Sequence, residues 1–330
     1  MLAMPTIRAR LIARASQARR VVLLGDVFEL LDVELPGALS VSRPLLVALG
    51  AAVGAHGEIV LVGGNHDHAM YEGFIAAHPG FGLSESIEPA GDPGFAAIAE
   101  LVAPARLTVA YPGVWLRDDV YATHGHYLDR HITLPPPLRA ALPGAVREML
   151  ASGERDGPDA TPADYERALA PAYAAFRVAR DFSLPEWIGV LVGNARDSDR
   201  LSGVAGPIAA ALPAVAIEAF GADALGLQLR RAGLRAMGRV IGRLQIDAAH
   251  VVFGHTHRTG PLPDDPFDEW VAPAGAAMHN CGSWVYEPLL LAGDGSANAY
   301  WPGGCVIVDD DGPPRLERLL GDVAASELRR

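Results

Sequence analysis

Glu58-Ile59-Val60-Leu61-Val62-Gly63-Gly64-Asn65-His66-Asp67 is the stretch on which the reading of this chain turns. Its apolar half, bounded by glycine, reads as a buried β-strand. The strand then delivers an amide oxygen, an imidazole and a carboxylate on consecutive residues, which is unusual chemistry for the end of a core strand. Three other apolar runs end alike. Residues 21–24 lead to Gly25-Asp26, residues 119–123 to His124-Gly125-His126, and residues 250–253 to Gly254-His255-Thr256-His257.

Each motif alone is weak, because a lone Gly-Asp or a lone His is usually structural. Together they are not. Six of the eleven histidines (66, 68, 124, 126, 255 and 257) fall in these short segments. Divalent metals that act on phosphate esters take carboxylate, amide oxygen and neutral imidazole ligands. Asp26 supplies a carboxylate able to bridge two ions, Asn65 an amide oxygen, and His124, His255 and His257 imidazoles. On an extended backbone His255 and His257, two apart, point to the same side and each reaches a different ion of a pair.

The chain has 330 residues, half of them hydrophobic, enough for a large core. Its net charge of -12 argues against nucleic-acid binding, which needs a basic surface. Every basic residue is Arg. Cys281 and Cys305 form no disulfide framework, and residues 1–20 do not read as a signal peptide, so a cytoplasmic location is expected. A β-α-β rhythm over residues 21–62 predicts an α/β fold. Residues 78–100 read as loop plus a short helix. Residues 107–110 and 114–116 read as a hairpin around Pro112-Gly113. Residues 131–245, rich in Ala, Leu and Arg, read as a helical insertion within a single domain spanning 1–330. Within it, the apolar stretch 204–225 is broken by Pro207, Pro213, Glu218 and Asp223, which favours a buried hairpin over a membrane span. Arg231, Arg235, Arg239 and Arg243 form a stripe on one helix face, read as solvated surface or as a peripheral contact with an anionic membrane.

The four motifs resemble those of the calcineurin-like metallophosphoesterases over roughly residues 21–285, and Leu24-Gly25-Asp26-Val27-Phe28-Glu29-Leu30 is similar to the bacterial branch that includes UDP-diacylglucosamine hydrolases. The resemblance implies a four-layer α/β/β/α sandwich with two divalent ions (Mn, Fe or Zn) at the strand ends. It implies hydrolysis of a phosphorylated small molecule or lipid-linked phosphate by water activated at the ions. Carried over, Asp26 bridges the ions, Asn65, His124 and His255 complete the second site, and His257 belongs to the first. His66 contacts the phosphate and Asp67 orients His66. Asn280-Cys281-Gly282-Ser283 resembles a segment that lines the site, and His68 and His126 are expected behind it or facing substrate.

The family opens with Asp-x-His ahead of Gly-Asp, whereas residues 1–25 hold no Asp, Glu or His. The first ion would keep only Asp26 and His257, with Asp129 and His131 conceivable as replacements. The expectation is a chain that begins inside a longer reading frame. The alternatives are a one-metal or non-catalytic binding variant and, disfavoured by charge, a nuclease.

Overall fold

Glu58 pins three neighbouring strands together. In the computed structural model it faces Arg20 on one neighbouring strand and Arg106 on the other. Its carboxylate meets Arg20 Nε at 2.7 Å and Arg106 at 2.9 Å, and accepts from Thr108 Oγ1 at 2.6 Å. Opposite charges directly across strands stabilise one register over its one-residue slips.

The structure describes residues 1–31, 33–133, 148, 151, 159–179, 222–286, 291 and 295–328. In order these form α1 (Pro5–Ala15), β1 (Arg20–Leu24), α2 (Leu35–Val53), β2 (Glu58–Val62), α3 (Glu72–Ala77), β3 (Ser84–Ile87), α4 (Pro93–Val102), β4 (Arg106–Arg117) and β5 (Val120–Thr123). Then come α5 (Pro162–Ala179), α6 (Ala222–Arg243), β6 (His250–Phe253), β7 (Thr259–Gly260), β8 (Ala277–Cys281), β9 (Gly304–Ile307), β10 (Arg315–Arg318) and α7 (Ala325–Leu328). Helix starts follow local chemistry. Asp92 caps α4 by accepting from the Gly94 and Phe95 amides, with Pro93 in the first turn. Thr161 and Asp164 form a reciprocal capping box ahead of α5.

The fold is α/β, built on a curled mixed sheet of order β1-β2-β4-β5-β6-β8-β7, with β3 also paired to β4. β1–β2, β2–β4, β5–β6 and β6–β8 run parallel. β1 lies at one edge, its residues partly exposed, whereas β2 is buried throughout. The strands alternate with period two. Ile59 and Leu61 pack under α1, α2 and α4, while Val60 and Val62 face the opposite way. Tyr121, Val251 and Phe253 pack under α5 and α6, while Val120, Ala122 and Val252 face away from them. Leu24 and Val114 touch both of these inner clusters, so the two halves of the sheet share an interior.

Two expectations change. Residues 107–116 are no hairpin but one strand, β4, whose partner switches at Pro112-Gly113. Pro112 is opposite Ser84 and Gly113 opposite Thr123, and Thr123 Oγ1 donates to the Pro112 carbonyl at 2.9 Å. Extended pairing on both sides overrides the turn signal of Pro-Gly. Within 78–100 the structure adds the strand β3, paired antiparallel with β4. Residues 131–245 contribute α5 and α6; of the stretch 204–225, residues 204–221 lie outside the described residues. Among the described helices α2 is long and apolar enough to cross a membrane, by length and composition alone. Here it packs on α1 and α4 and buries Leu46 and Leu49.

Phe95 is 1% exposed between α4 and the sheet, while Val41 on α2 is 71% exposed. Phe95→Ala should cost about 3–5 kcal/mol in a urea melt, and Val41→Ala less than about 0.5 kcal/mol. Equal effects would mean the α4 face is not core.

Candidate metal centre

Register brings the motifs together. Leu24 is opposite Val62, so Asp26 and Asn65 emerge from neighbouring strand ends. Ala122 is opposite Val252, and the Gly254 amide donates to the His124 carbonyl at 2.9 Å, so His124 and His255 emerge together from the next pair. Asp26, His124 and His255 each offer one ligand atom, all within 4.8 Å of one another, a cluster that can hold a metal ion. Asn65 joins it, its Oδ1 3.1 Å from His124 Nε2.

The protonation pattern suits a cation. His124 Nδ1–H donates to the Leu24 carbonyl at 2.8 Å, which directs the other ring nitrogen into the site. That Nε2 lies 3.0 Å from Asp26 Oδ2. A lone pair, a carboxylate oxygen and an amide oxygen thus converge, an arrangement favourable only with a proton or a metal ion between them. His255 follows the same logic with the nitrogens exchanged. Its Nε2–H donates to buried Asp129 at 2.8 Å, and its buried Nδ1 has no hydrogen-bond partner among the described residues. Carboxylate, amide oxygen and two imidazoles form a donor set that fits Mn, Fe or Zn.

The backbone is strained at these positions. Asp26, His255 and His257 have φ of 52°, 63° and 57°, in the left-handed region that side chains rarely enter. Each such residue costs on the order of 1–3 kcal/mol unless its surroundings impose it. The expectation of an extended His255-Thr256-His257 is therefore corrected: the chain bends at both histidines. His255 joins the cluster, and His257, partly exposed, lies outside it. Asn280 helps to hold this bend, donating to the Gly254 carbonyl at 3.1 Å and to Thr256 Oγ1 at 2.9 Å. Two glycines admit the close approaches. A Cβ on Gly64 would lie 2.2 Å from Asp26 Oδ1, and one on Gly25, itself at φ 79°, would lie 2.3 Å from His124 Nδ1.

Asp67 is engaged with backbone amides. Its two oxygens accept from the Gly64 amide at 2.6 Å and the Val27 amide at 2.9 Å, which ties the β1 and β2 loops together. Burial and the neighbouring Asp26 charge raise its pKa to about 6. A carboxylate beside the His66 imidazole is that of Glu29, 2.5 Å from Nδ1, while the His66 amide donates to Asp26 Oδ1 at 2.9 Å. Glu29 was not singled out in the sequence, where only its place three residues after Asp26 marks it. Of the conceivable replacement ligands, Asp129 sits behind His255, and His131 pairs with Tyr165 Oη at 2.8 Å. His68 pairs with Glu166 at 2.8 Å, and His126, fully buried, is pushed down to about 4 by burial. On α6 the arginine stripe is the outward face opposite Leu234, Met237 and Ile241. Arg231 pairs with Glu269 at 2.6 Å, and Arg243 lies over the Tyr165 ring.

The charges here set a pH dependence. Burial disfavours the His124 cation, but the Asp26 carboxylate outweighs it and raises the pKa above the ordinary 6.5. In the metal-free protein this pairing stabilises fully below the ordinary value and is lost as pH rises through the higher folded value. A metal ligand must give up that proton. Mn2+ affinity should therefore rise with pH through the His124 transition, with proton release visible by calorimetry in buffers of different ionisation enthalpy. His124→Gln should remove that release; its persistence would exclude His124 as the ligand. No family model matches the chain, and no curated protein matches it significantly.

Proposed function

We propose that the protein is a metal-dependent phosphoester hydrolase of the calcineurin-like metallophosphoesterase type, acting on a phosphorylated small molecule or lipid-linked phosphate. The observation that carries this reading is the convergence of Asp26, Asn65, His124 and His255 at the ends of in-register parallel strands. The two helix-covered outer faces and the interior shared through Leu24 and Val114 support the four-layer α/β/β/α sandwich. In this reading residues 1–330 form one domain with the 131–245 insertion, and the protein is cytoplasmic.

Asp26, Asn65, His124 and His255 would hold one divalent ion, Mn, Fe or Zn, and Asp26 with His257 the other. Bound there, such ions supply Lewis acidity toward the phosphoryl group and activate the attacking water. His66 neutralises charge on the phosphoryl group or protonates the leaving oxygen. Glu29 fixes the His66 ring for that task. Asp67 holds the two loops at the spacing the substrate phosphate requires.

Alanine at Asp26 or His255 should abolish turnover of a chromogenic phosphodiester with added manganese, against a wild type that turns it over. Turnover in either variant at the wild-type level sinks the assignment. A second reading is a single-metal binding protein that keeps the fold, supported by the one cluster able to hold a metal ion among the described residues, Asp26, His124 and His255. Metal analysis separates the two, close to two ions per chain for the enzyme and one for the binding protein.

The stripe Arg231, Arg235, Arg239 and Arg243 supports a peripheral contact with anionic lipid, which would bring a lipid-linked substrate to the site. Co-sedimentation with anionic vesicles should fall severalfold in an Arg235→Ala/Arg239→Ala double variant. An unchanged bound fraction would remove the stripe from the reading.

A further inference from the structure

Behind the metal centre lies a second buried polar group, organised by one residue of the insertion. Glu166 on α5 is 5% exposed. Its Oε2 accepts from His68 Nε2 at 2.8 Å. Its Oε1 accepts from the hydroxyls of Tyr111 and Tyr127, both at 2.5 Å. His126 Nε2 stands 3.8 Å from the same oxygen, beyond hydrogen-bond range. Burial alone would raise the Glu166 pKa, but the imidazoles of His126 and His68 outweigh it and hold the carboxyl well below its ordinary value.

These partners come from three separate places. His68 lies three residues after Asn65, Tyr111 is on β4, and Tyr127 lies three residues after His124. Glu166 thus joins the segment that carries Asn65 and His66 to the segment that carries His124 and Asp129. Its own helix is held on both sides of the molecule: Ala163 packs in the cluster under α1, α2 and α4, and Tyr165, Leu169 and Tyr173 in the cluster under α6. Tyr165 stacks on Tyr127 at 4.8 Å and bonds His131 at 2.8 Å, which adds a second tie to residues 124–131. A buried carboxylate with three donors is costly to disturb, because each donor left behind loses this acceptor in a dry environment.

We propose that Glu166 is a positioning residue: from the insertion helix it fastens residues 64–68 to residues 124–131 and thereby sets the spacing of Asn65 and His124. Its effect on metal binding rests on the reading of Asp26, His124 and His255 as a metal centre; the fastening itself does not. Glu166 touches none of the candidate ligands, so its influence passes through His68 and Tyr127.

The test uses the full chain as Glu166→Ala, Glu166→Gln and, as a control on the exposed side of the same helix, Arg167→Ala. Amide hydrogen exchange and Mn2+ calorimetry are read on each. In Glu166→Ala, amides of residues 64–68 and 124–131 should exchange at least tenfold faster, with those of β2 unchanged, and Mn2+ should bind at least tenfold more weakly. Glu166→Gln keeps the shape and an acceptor for the tyrosines but turns an amide donor toward His68, so it should fold like wild type and lie between the two. Arg167→Ala should match wild type in both readouts. If Glu166→Ala does not fold, Glu166→Gln decides, through faster exchange in those two segments. Wild-type exchange and wild-type Mn2+ affinity in Glu166→Gln and in any folded Glu166→Ala overturn the proposal, as does an equal change in Arg167→Ala. If wild type itself binds no Mn2+, the metal reading fails, and the exchange data still decide whether Glu166 fastens the segments.

Discussion

The Asp26 carboxylate takes a hydrogen bond from the His66 amide and faces His124 Nε2 at 3.0 Å, in space that a Cβ on Gly64 would otherwise fill. That close fit ties the site to the sheet. It requires β1 and β2 to be parallel and in register, so that both loops leave the sheet at the same height. It also requires the β5–β6 pair to approach from the other half of the sheet, which the curl through β4 provides. A slip of one residue in either pair would turn the ligands away from one another and expose the apolar faces beneath them.

Strain is concentrated at the same place, and so is the bracing. Asp26, His255 and His257 adopt left-handed backbone that ordinary residues avoid. Asp67 receives two backbone amides from the flanking loops, and Asn280 grips the chain on either side of His255. The polar residues around the centre divide accordingly. Some face the cluster, and others are occupied in holding the backbone. Asp67 belongs to the second kind although its motif suggests the first.

Much of the fold is legible in the sequence where burial is complete. β2, β5 and β6 are short apolar runs that end abruptly in polar residues, because both of their faces are covered. β3 escapes the eye because Ser84-Glu85-Ser86-Ile87 is only partly buried and alternates weakly, and β10, Arg315-Leu316-Glu317-Arg318, has the composition of a loop. Pro112-Gly113 misleads because the pairing partners that hold it extended are distant in sequence. At the site, the residues that converge, Asp26, His124 and His255, are legible from strand ends, but the supporting contacts are not. Glu29 reaches His66 across 37 positions and Asp129 reaches His255 across 126, and neither spacing leaves a local pattern. The bend at His255 and His257 likewise depends on Asn280, a residue of another strand.

Glu166 shows why a helix can belong to a centre whose motifs it lacks. Taking a carboxylate out of water costs several kcal/mol, and an apolar residue of similar volume would avoid that cost. The apolar residue would, however, strand the Tyr111 and Tyr127 hydroxyls and the His68 N–H. It would also be indifferent to small shifts of the segments that bear them, since apolar contact is non-directional. Three directed hydrogen bonds are not indifferent: they are satisfied together only when β4 and both segments stand at one spacing. The same low dielectric that makes the carboxylate expensive makes those bonds steep in distance. A polar group buried on α5 therefore trades stability for alignment, and what it aligns are the chain segments from which Asn65 and His124 reach the centre.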